Sequence, residues 1–174
     1  MELLDVVDEN DCPIGVKSKD EIHRDGDLHR ASQMWIYNDR GEILFQLRSH
    51  TKDIFPGLWD VTGGHVQSGE SYLEAAVREL DEELGVLVSP NDLESLFKQR
   101  DHFGGNEFQM IYLLRWNSRI KRIQAEEVQE VRFWNSAILK KSLLETSGIF
   151  CPMTEYYMSI ITIIEEHLTK KEKK

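Results

Sequence analysis

Residues 64–86 read GHVQSGESYLEAAVRELDEELGV, and the whole chain is best approached from them. Leu73, Ala76, Val77, Leu80 and Leu84 recur at helical spacing, which predicts a helix over residues 70–84 with one apolar stripe. Ser68 stands where a cap belongs, and Gly85 stands where a helix can end in the left-handed conformation. Glu79, Glu82 and Glu83 fall at i, i+3 and i+4, so they gather on a second face roughly 120° round from the stripe. That grouping is unfavourable by itself. Two carboxylates ~5 Å apart repel by about 3 kcal/mol at an effective dielectric of 20. They also sit at the C-terminal end of the helix, where the macrodipole favours cations. Arg78 is the only base between Ser68 and Val88. A solvated acidic face is the ordinary fate of a Glu-rich helix. Here the repulsion and the helix end both count against that fate, so a bound divalent cation, Mg²⁺ or Mn²⁺, which takes carboxylate oxygens, stands beside it as an equal alternative.

Working outward, short strands are expected at 3–8 and 14–17 around the turn Asn10-Asp11-Cys12-Pro13. Residues 31–38, the turn Asp39-Arg40-Gly41 and EILFQLRS form a hairpin signal. Leu58 to Thr62 reads as a strand running into Gly63-Gly64, and further strands are expected at 93–101, 107–116 and 130–134. Helices follow at 136–145 and 153–168, and Lys170 to Lys174 read as a charged tail. Strands around two or three helices give an α+β domain. One domain over residues 1–169 is expected, since no Gly-, Pro- or Ser-rich linker divides the chain.

The chain has 174 residues, 40% of them hydrophobic and 30% charged, with a net charge of −10. This is ordinary for a globular domain. The acidic balance argues against a general nucleic-acid or membrane-surface binder. It does not exclude phosphorylated substrates where a cation screens the carboxylates. Cys12 and Cys151 lack metal-type spacing and read as reduced thiols. The acid-rich start lacks a basic n-region, and no apolar run reaches the ~20 residues of a membrane span. A cytoplasmic location is therefore expected.

Gly64, five residues, Glu70, seven residues, Arg78-Glu79-Leu80, one residue, Glu82-Glu83, one residue, Gly85-Val86: this pattern resembles the box of the Nudix hydrolases at every fixed position. At background residue usage, a chance match is on the order of one in ten million. The resemblance implies a Nudix-type α/β/α sandwich with a mixed sheet. It implies that Glu79, Glu82 and Glu83 hold divalent metals with the Gly64 carbonyl, and that Arg78 forms an ion pair with Glu79 or Glu70. Gly63, Gly64 and His65 would line the substrate site, Gly63-Gly64 letting backbone pass close to phosphate.

Features outside the box resemble the branch related to type 1 isopentenyl diphosphate isomerase. They are Val6-Val7-Asp8-Glu9-Asn10, His29-Arg30-Ala31, and Phe55-Pro56-Gly57-Leu58-Trp59-Asp60 before Gly64-His65. That enzyme needs a cysteine where this chain has Gly63, and it degrades the box that this chain keeps. Both departures favour hydrolysis over isomerisation. The isomerase also holds a metal with histidines and glutamates. His23, His29, His65 and Glu107 fall at similar places, with separate hydrogen-bonding histidines as the plainer alternative.

The resemblance implies substitution at phosphorus by a metal-activated water, with a nucleoside diphosphate derivative or similar metabolite as substrate. Glu79 leads the candidates for general base, ahead of Glu126, Glu127 and Glu130. Trp35, Tyr37, Phe55, Trp59 and Phe103 could stack on a base, and Arg48, Lys52, Lys98 and Arg100 could meet phosphate. For each, core packing or a surface charge is the commoner role. A sensor that binds a metabolite without cutting it is the reading from another class. The last helix and Phe133-Trp134 could serve a homodimer.

Overall fold

The run from Ala31 to Tyr37 mixes apolar and polar side chains, yet every one of its residues is buried. Burial on both faces marks a central strand, and in a computed structural model of the chain it forms β3 (His29–Tyr37). The structure describes residues 2–52, 54–101 and 106–171. The chain divides into two compact units. One is built from residues 1–34, 62–82 and 86–113, the other from residues 35–61, 83–85 and 114–174.

In the first unit, β1 (Leu3–Val7) and β2 (Pro13–Ser18) pair antiparallel, with Leu3 opposite Ser18 and Asp5 opposite Val16. A short helix follows, α1 (Lys19–Asp25). Ser18 and Glu21 cap it reciprocally, and Gly26 closes it at φ 72°. Leu4, Val6 and Ile22 bury together. Strand β6 (Thr62–His65) pairs antiparallel with β3, Ala31 opposite His65 and Met34 opposite Thr62. On the other side of β3 lies β8 (Glu107–Arg115), and beyond it β7 (Leu93–Asp101). Helix α2 (Tyr72–Leu84) belongs to this unit through Glu82.

In the second unit, the turn at Asn38 folds the chain from the end of β3 into β4 (Glu42–Arg48), with Tyr37 opposite Ile43. The Asn38 side-chain oxygen accepts from the amides of Arg40 and Glu42, and Gly41 takes φ 71°. Strands β5 (Trp59–Asp60) and β9 (Val128–Asn135) flank β4. Helix α3 (Ser136–Glu145) is capped by Asn135, and α4 (Thr154–Lys171) runs past the expected end at 168 into the first residues read as a charged tail. Trp35, Phe45, Phe150 and Tyr157 interlock through ring contacts of 5.3–5.9 Å, mostly edge to face. The class is α+β, with four α-helices among the described residues. No described helix is long and apolar enough to cross a membrane.

Three expectations need correction. Helix α2 begins at Tyr72 rather than at residue 70, and its cap is Ser71, not Ser68. Ser71 and Glu74 bond reciprocally at 2.8 and 3.2 Å, while the Ser68 hydroxyl donates to Asp5. Helix α1 was not expected, because seven residues with few apolar members give no periodicity. The segment read as one strand from Leu58 into the glycines is two strands, β5 and β6, broken at Val61.

One carboxylate in the second unit is buried, that of Asp60. Asp60 accepts from the Tyr157 hydroxyl at 2.7 Å and the Val61 amide at 2.8 Å. Cys151 Sγ lies 3.5 Å away and Arg48 Nη1 3.7 Å. Burial pushes its carboxyl above the ordinary range despite these donors. Above about pH 4 the unfolded chain has released a proton that the folded chain still holds, so this group's contribution falls as pH rises toward its folded value. Asp60→Asn should remove that slope. In urea titrations across pH, the stability of the parent relative to the variant is expected to decline from about pH 4 upward. A difference that is flat in pH would show that Asp60 does not carry the effect.

Candidate metal and diphosphate site

The helix carries its carboxylates in unequal surroundings. Glu79 and Glu83 are buried, at 9% and 3% exposure, whereas the Glu82 side chain is half exposed at 51%. Burial of Glu79 follows from Gly64 on β6. A Cβ at that position would fall 2.1 Å from Glu79 Cδ and 2.2 Å from Oε1, so the carboxylate occupies the space that any other residue would fill. Gly63 is nearly as tight, since a Cβ there would lie 3.0 Å from the Ser32 carbonyl oxygen on β3. A cysteine at that position would press on the neighbouring strand.

Arg78 gathers acidic groups of the first unit. Its Nε and Nη2 donate to Glu70 at 2.8 and 3.0 Å. Nη1 donates to Glu79 at 2.7 Å and to Glu82 at 3.0 Å, and Nη2 also reaches the His65 carbonyl at 2.9 Å. One guanidinium thus serves three carboxylates. Burial would lower its pKa, but Glu70 and Glu79 raise it on balance, so it stays charged. Burial raises the Glu79 carboxyl above its usual value even with Arg78 beside it. For Glu70 burial also works upward, and the Arg78 hydrogen bonds outweigh it to leave the carboxyl lowered. In the second unit, Glu83 accepts from Gln46 Nε2 at 3.1 Å, and its carbonyl accepts from the Gln124 amide at 2.9 Å. The helix ends there, at Gly85 with φ 61°.

This donor set fits a hard divalent cation. Within the first unit, Glu70, Glu79 and Glu82 offer carboxylate oxygens, Glu79 buried, and Arg78 is the single guanidinium that meets all three.

A second cluster lies in the same unit. His23, His29 and His65 each offer a ring nitrogen, and these three atoms lie within 4.8 Å of one another. Nε2 of His23 and Nε2 of His65 face each other at 3.2 Å. His29 is buried, with Nδ1 3.0 Å from the Asp27 carbonyl. Its Nε2 lies 3.3 Å from Glu107 Oε2 but makes no hydrogen bond. Burial lowers the His23 pKa and His29 lowers it further. At His29 burial also pulls downward, but Glu107 raises the group overall. Helix α1 delivers His23, and the sequence does signal that helix, through Ser18-Lys19-Asp20-Glu21 and Gly26.

The other expected residues are dispersed or occupied. Trp35, Tyr37 and Trp59 are buried in the second unit's core, and Phe103 lies outside the described residues. Arg48 donates to the Ile54 carbonyl, Lys52 pairs with Glu127, Lys98 with Asp11, and Arg100 with Glu9. The four bases read as phosphate contacts are therefore held by acceptors of the protein itself.

An α+β domain with a strand of paired glycines laid over a carboxylate-bearing helix is the class that fold and site define. The NUDIX domain family model matches residues 27–147, and the chain belongs to the Nudix family. It is 38% identical over 146 residues to Nudix hydrolase 3 of Arabidopsis thaliana, covering 76% of this chain and 19% of that protein. The match thus spans about a fifth of that relative. It is 38% identical over 116 residues to an isopentenyl-diphosphate Delta-isomerase of Serratia proteamaculans, covering 64% of this chain and 65% of the isomerase. Among solved structures, DR0079 from Deinococcus radiodurans superposes with a TM-score of 0.72 at 27% identity, covering 89% of this chain and 96% of that one.

Gly64→Ala tests how Glu79 is placed. The added methyl cannot coexist with the carboxylate, so Glu79 must move while the surrounding strand pairing stays. Circular dichroism is expected to be unchanged, and Mn²⁺ affinity by calorimetry to fall about ten-fold or more. Parent affinity in the variant would show that Glu79 takes no part in holding the ion.

Proposed function

We propose that the chain is a divalent-cation-dependent hydrolase that cleaves a diphosphate linkage in a nucleoside diphosphate derivative or a similar phosphorylated metabolite. The observation that carries this reading is Glu79 lodged in the space left by Gly64, beside a guanidinium shared among three carboxylates. In this reading Glu79, Glu82 and Glu83 hold Mg²⁺ or Mn²⁺, with the Gly64 carbonyl as a further oxygen. When bound, the cation neutralises the diphosphate and lowers the pKa of a coordinated water.

The chain's own residues divide the remaining work. Arg78 orients Glu79 and Glu82 and fastens the loop through Glu70 and His65. Gly63 and Gly64 present backbone without side chains where phosphate oxygens approach. Gln46 fixes the Glu83 carboxylate. Glu79 is the first candidate for general base, and burial, which raises its carboxyl above the usual value, favours its taking up a proton in that role.

Phosphate release from a panel of diphosphate compounds, with and without Mg²⁺, tests the function directly. Cleavage of at least one member that stops on chelation is expected. Binding without turnover across the panel would overturn hydrolysis and leave a sensor. Glu82→Gln and Glu83→Gln should each lower turnover by about 10²–10³-fold or more with the fold intact. Near-parent rates in both would remove the glutamates from the mechanism.

The histidine cluster supports a second cation centre held by His23, His29, His65 and Glu107. A buried imidazole nitrogen without a hydrogen bond, 3.3 Å from a carboxylate, fits such a role. Co²⁺ absorbance should report a nitrogen-rich site that disappears in His29→Ala and survives in Glu82→Gln. An unchanged spectrum in His29→Ala would leave the histidines as ordinary hydrogen-bonding groups.

A further inference from the structure

The second unit holds a cavity of about 440 Å³ that the function proposed above does not use. Its wall combines Arg40 from the turn before β4, Trp116, Arg119 and Ile120 from the coil after β8, and Val131 and Phe133 from β9. Val131 and Phe133 are two residues apart on a strand and so share a face. The whole chain carries a net charge of −10, yet two guanidinium groups and no carboxylate line this hollow among the described residues.

The two arginines are not equivalent. Arg40 donates to Glu42 at 2.9 and 2.7 Å, which neutralises it. Arg119 is exposed and makes no ion pair or hydrogen bond among the described residues. Trp116 is anchored by its backbone amide, which donates to the Tyr37 carbonyl at 2.8 Å. Its indole Nε1–H is buried and has no acceptor among the described residues. An unmet buried donor of this kind costs about 1–3 kcal/mol. The cavity falls within the size range of small-molecule sites, and its walls offer the rings of Trp116 and Phe133.

We propose that this cavity binds a small organic anion made of a planar ring system and a single phosphate group, with Arg119 meeting the phosphate and Trp116 and Phe133 the ring. An unpaired guanidinium is suited to forked contact with phosphate, and aromatic faces take planar rings by stacking. A nucleoside monophosphate has both parts.

Adenosine monophosphate serves as the probe, titrated into the full chain with EDTA present so that the glutamate helix holds no cation. Calorimetry and tryptophan fluorescence, with Trp116 as an internal reporter, should show one saturable site. Adenosine alone and inorganic phosphate alone should bind more weakly than the monophosphate. Arg119→Glu reverses the charge at an exposed position and should weaken binding about ten-fold or more. Val131→Trp fills the hollow without altering charge and should weaken it as well, with circular dichroism checking the fold of both. Glu82→Gln should bind as the parent does. The proposal fails if adenosine monophosphate does not bind at millimolar concentration, or if Arg119→Glu and Val131→Trp both bind like the parent. It fails equally if Glu82→Gln abolishes binding, which would place the probe at the glutamate helix. Diphosphate hydrolysis is a separate readout, so either result can fall without the other.

Discussion

The guanidinium of Arg78 is the point to which the first unit's acidic groups are tied. Glu70 comes from the loop before α2, Glu79 and Glu82 from the helix itself, and the His65 carbonyl from the end of β6. Without that cation the three carboxylates would repel, and the glycine strand would lose its tie to the helix. With it, the charges are gathered but not balanced, since one positive group faces three negative ones. In the function proposed above, that excess is what a divalent cation would offset. It also explains why a surface-style salt bridge is a poor description, because Glu79 and most of the Arg78 side chain are out of water.

Much of this was readable from the sequence, for identifiable reasons. Helix α3 falls on the residues expected, because Asn135 caps it and Leu139 and Leu143 recur four apart. The hairpin of β3 and β4 follows from its turn chemistry. The cap of α2 was misplaced because Ser68 and Ser71 are both plausible caps, and only Glu74 three residues after Ser71 discriminates them. Burial of Glu79 and Glu83 was not legible at all. Periodicity assigns glutamate to the wet face, and only the packing of Gly64 against the helix reverses that assignment. The histidine cluster was visible as four residue positions, but its convergence depends on α1, which has no periodicity and is signalled only by its capping residues Ser18, Glu21 and Gly26.

Gly63 links the site to its relatives. The chain shares substantial sequence with an isopentenyl-diphosphate isomerase as well as with Nudix hydrolases. Gly63, where the resemblance would expect an isomerase to carry a thiol, is pressed to within 3.0 Å of a neighbouring carbonyl, counted from a Cβ that the glycine lacks. A cysteine would need β3 to give way by a few tenths of an ångström before it could act as a nucleophile or acid.

The cap at Ser71 leaves Glu70 outside the helix, while Arg78 sits inside it, two turns along. Helical side chains lean toward the N-terminus, so the guanidinium reaches back over those turns to meet a carboxylate held by the loop. The separation of the two residues is thus a measured length, set by helical rise on one side and by the path of residues 65–70 on the other. One residue added or removed anywhere between them would rotate Arg78 by about 100° and break the reach, although every glutamate would survive in the sequence. The motif is a ruler as much as a list of charges, and variation in this protein should be tolerated in the kinds of residue between its marks far more readily than in their number.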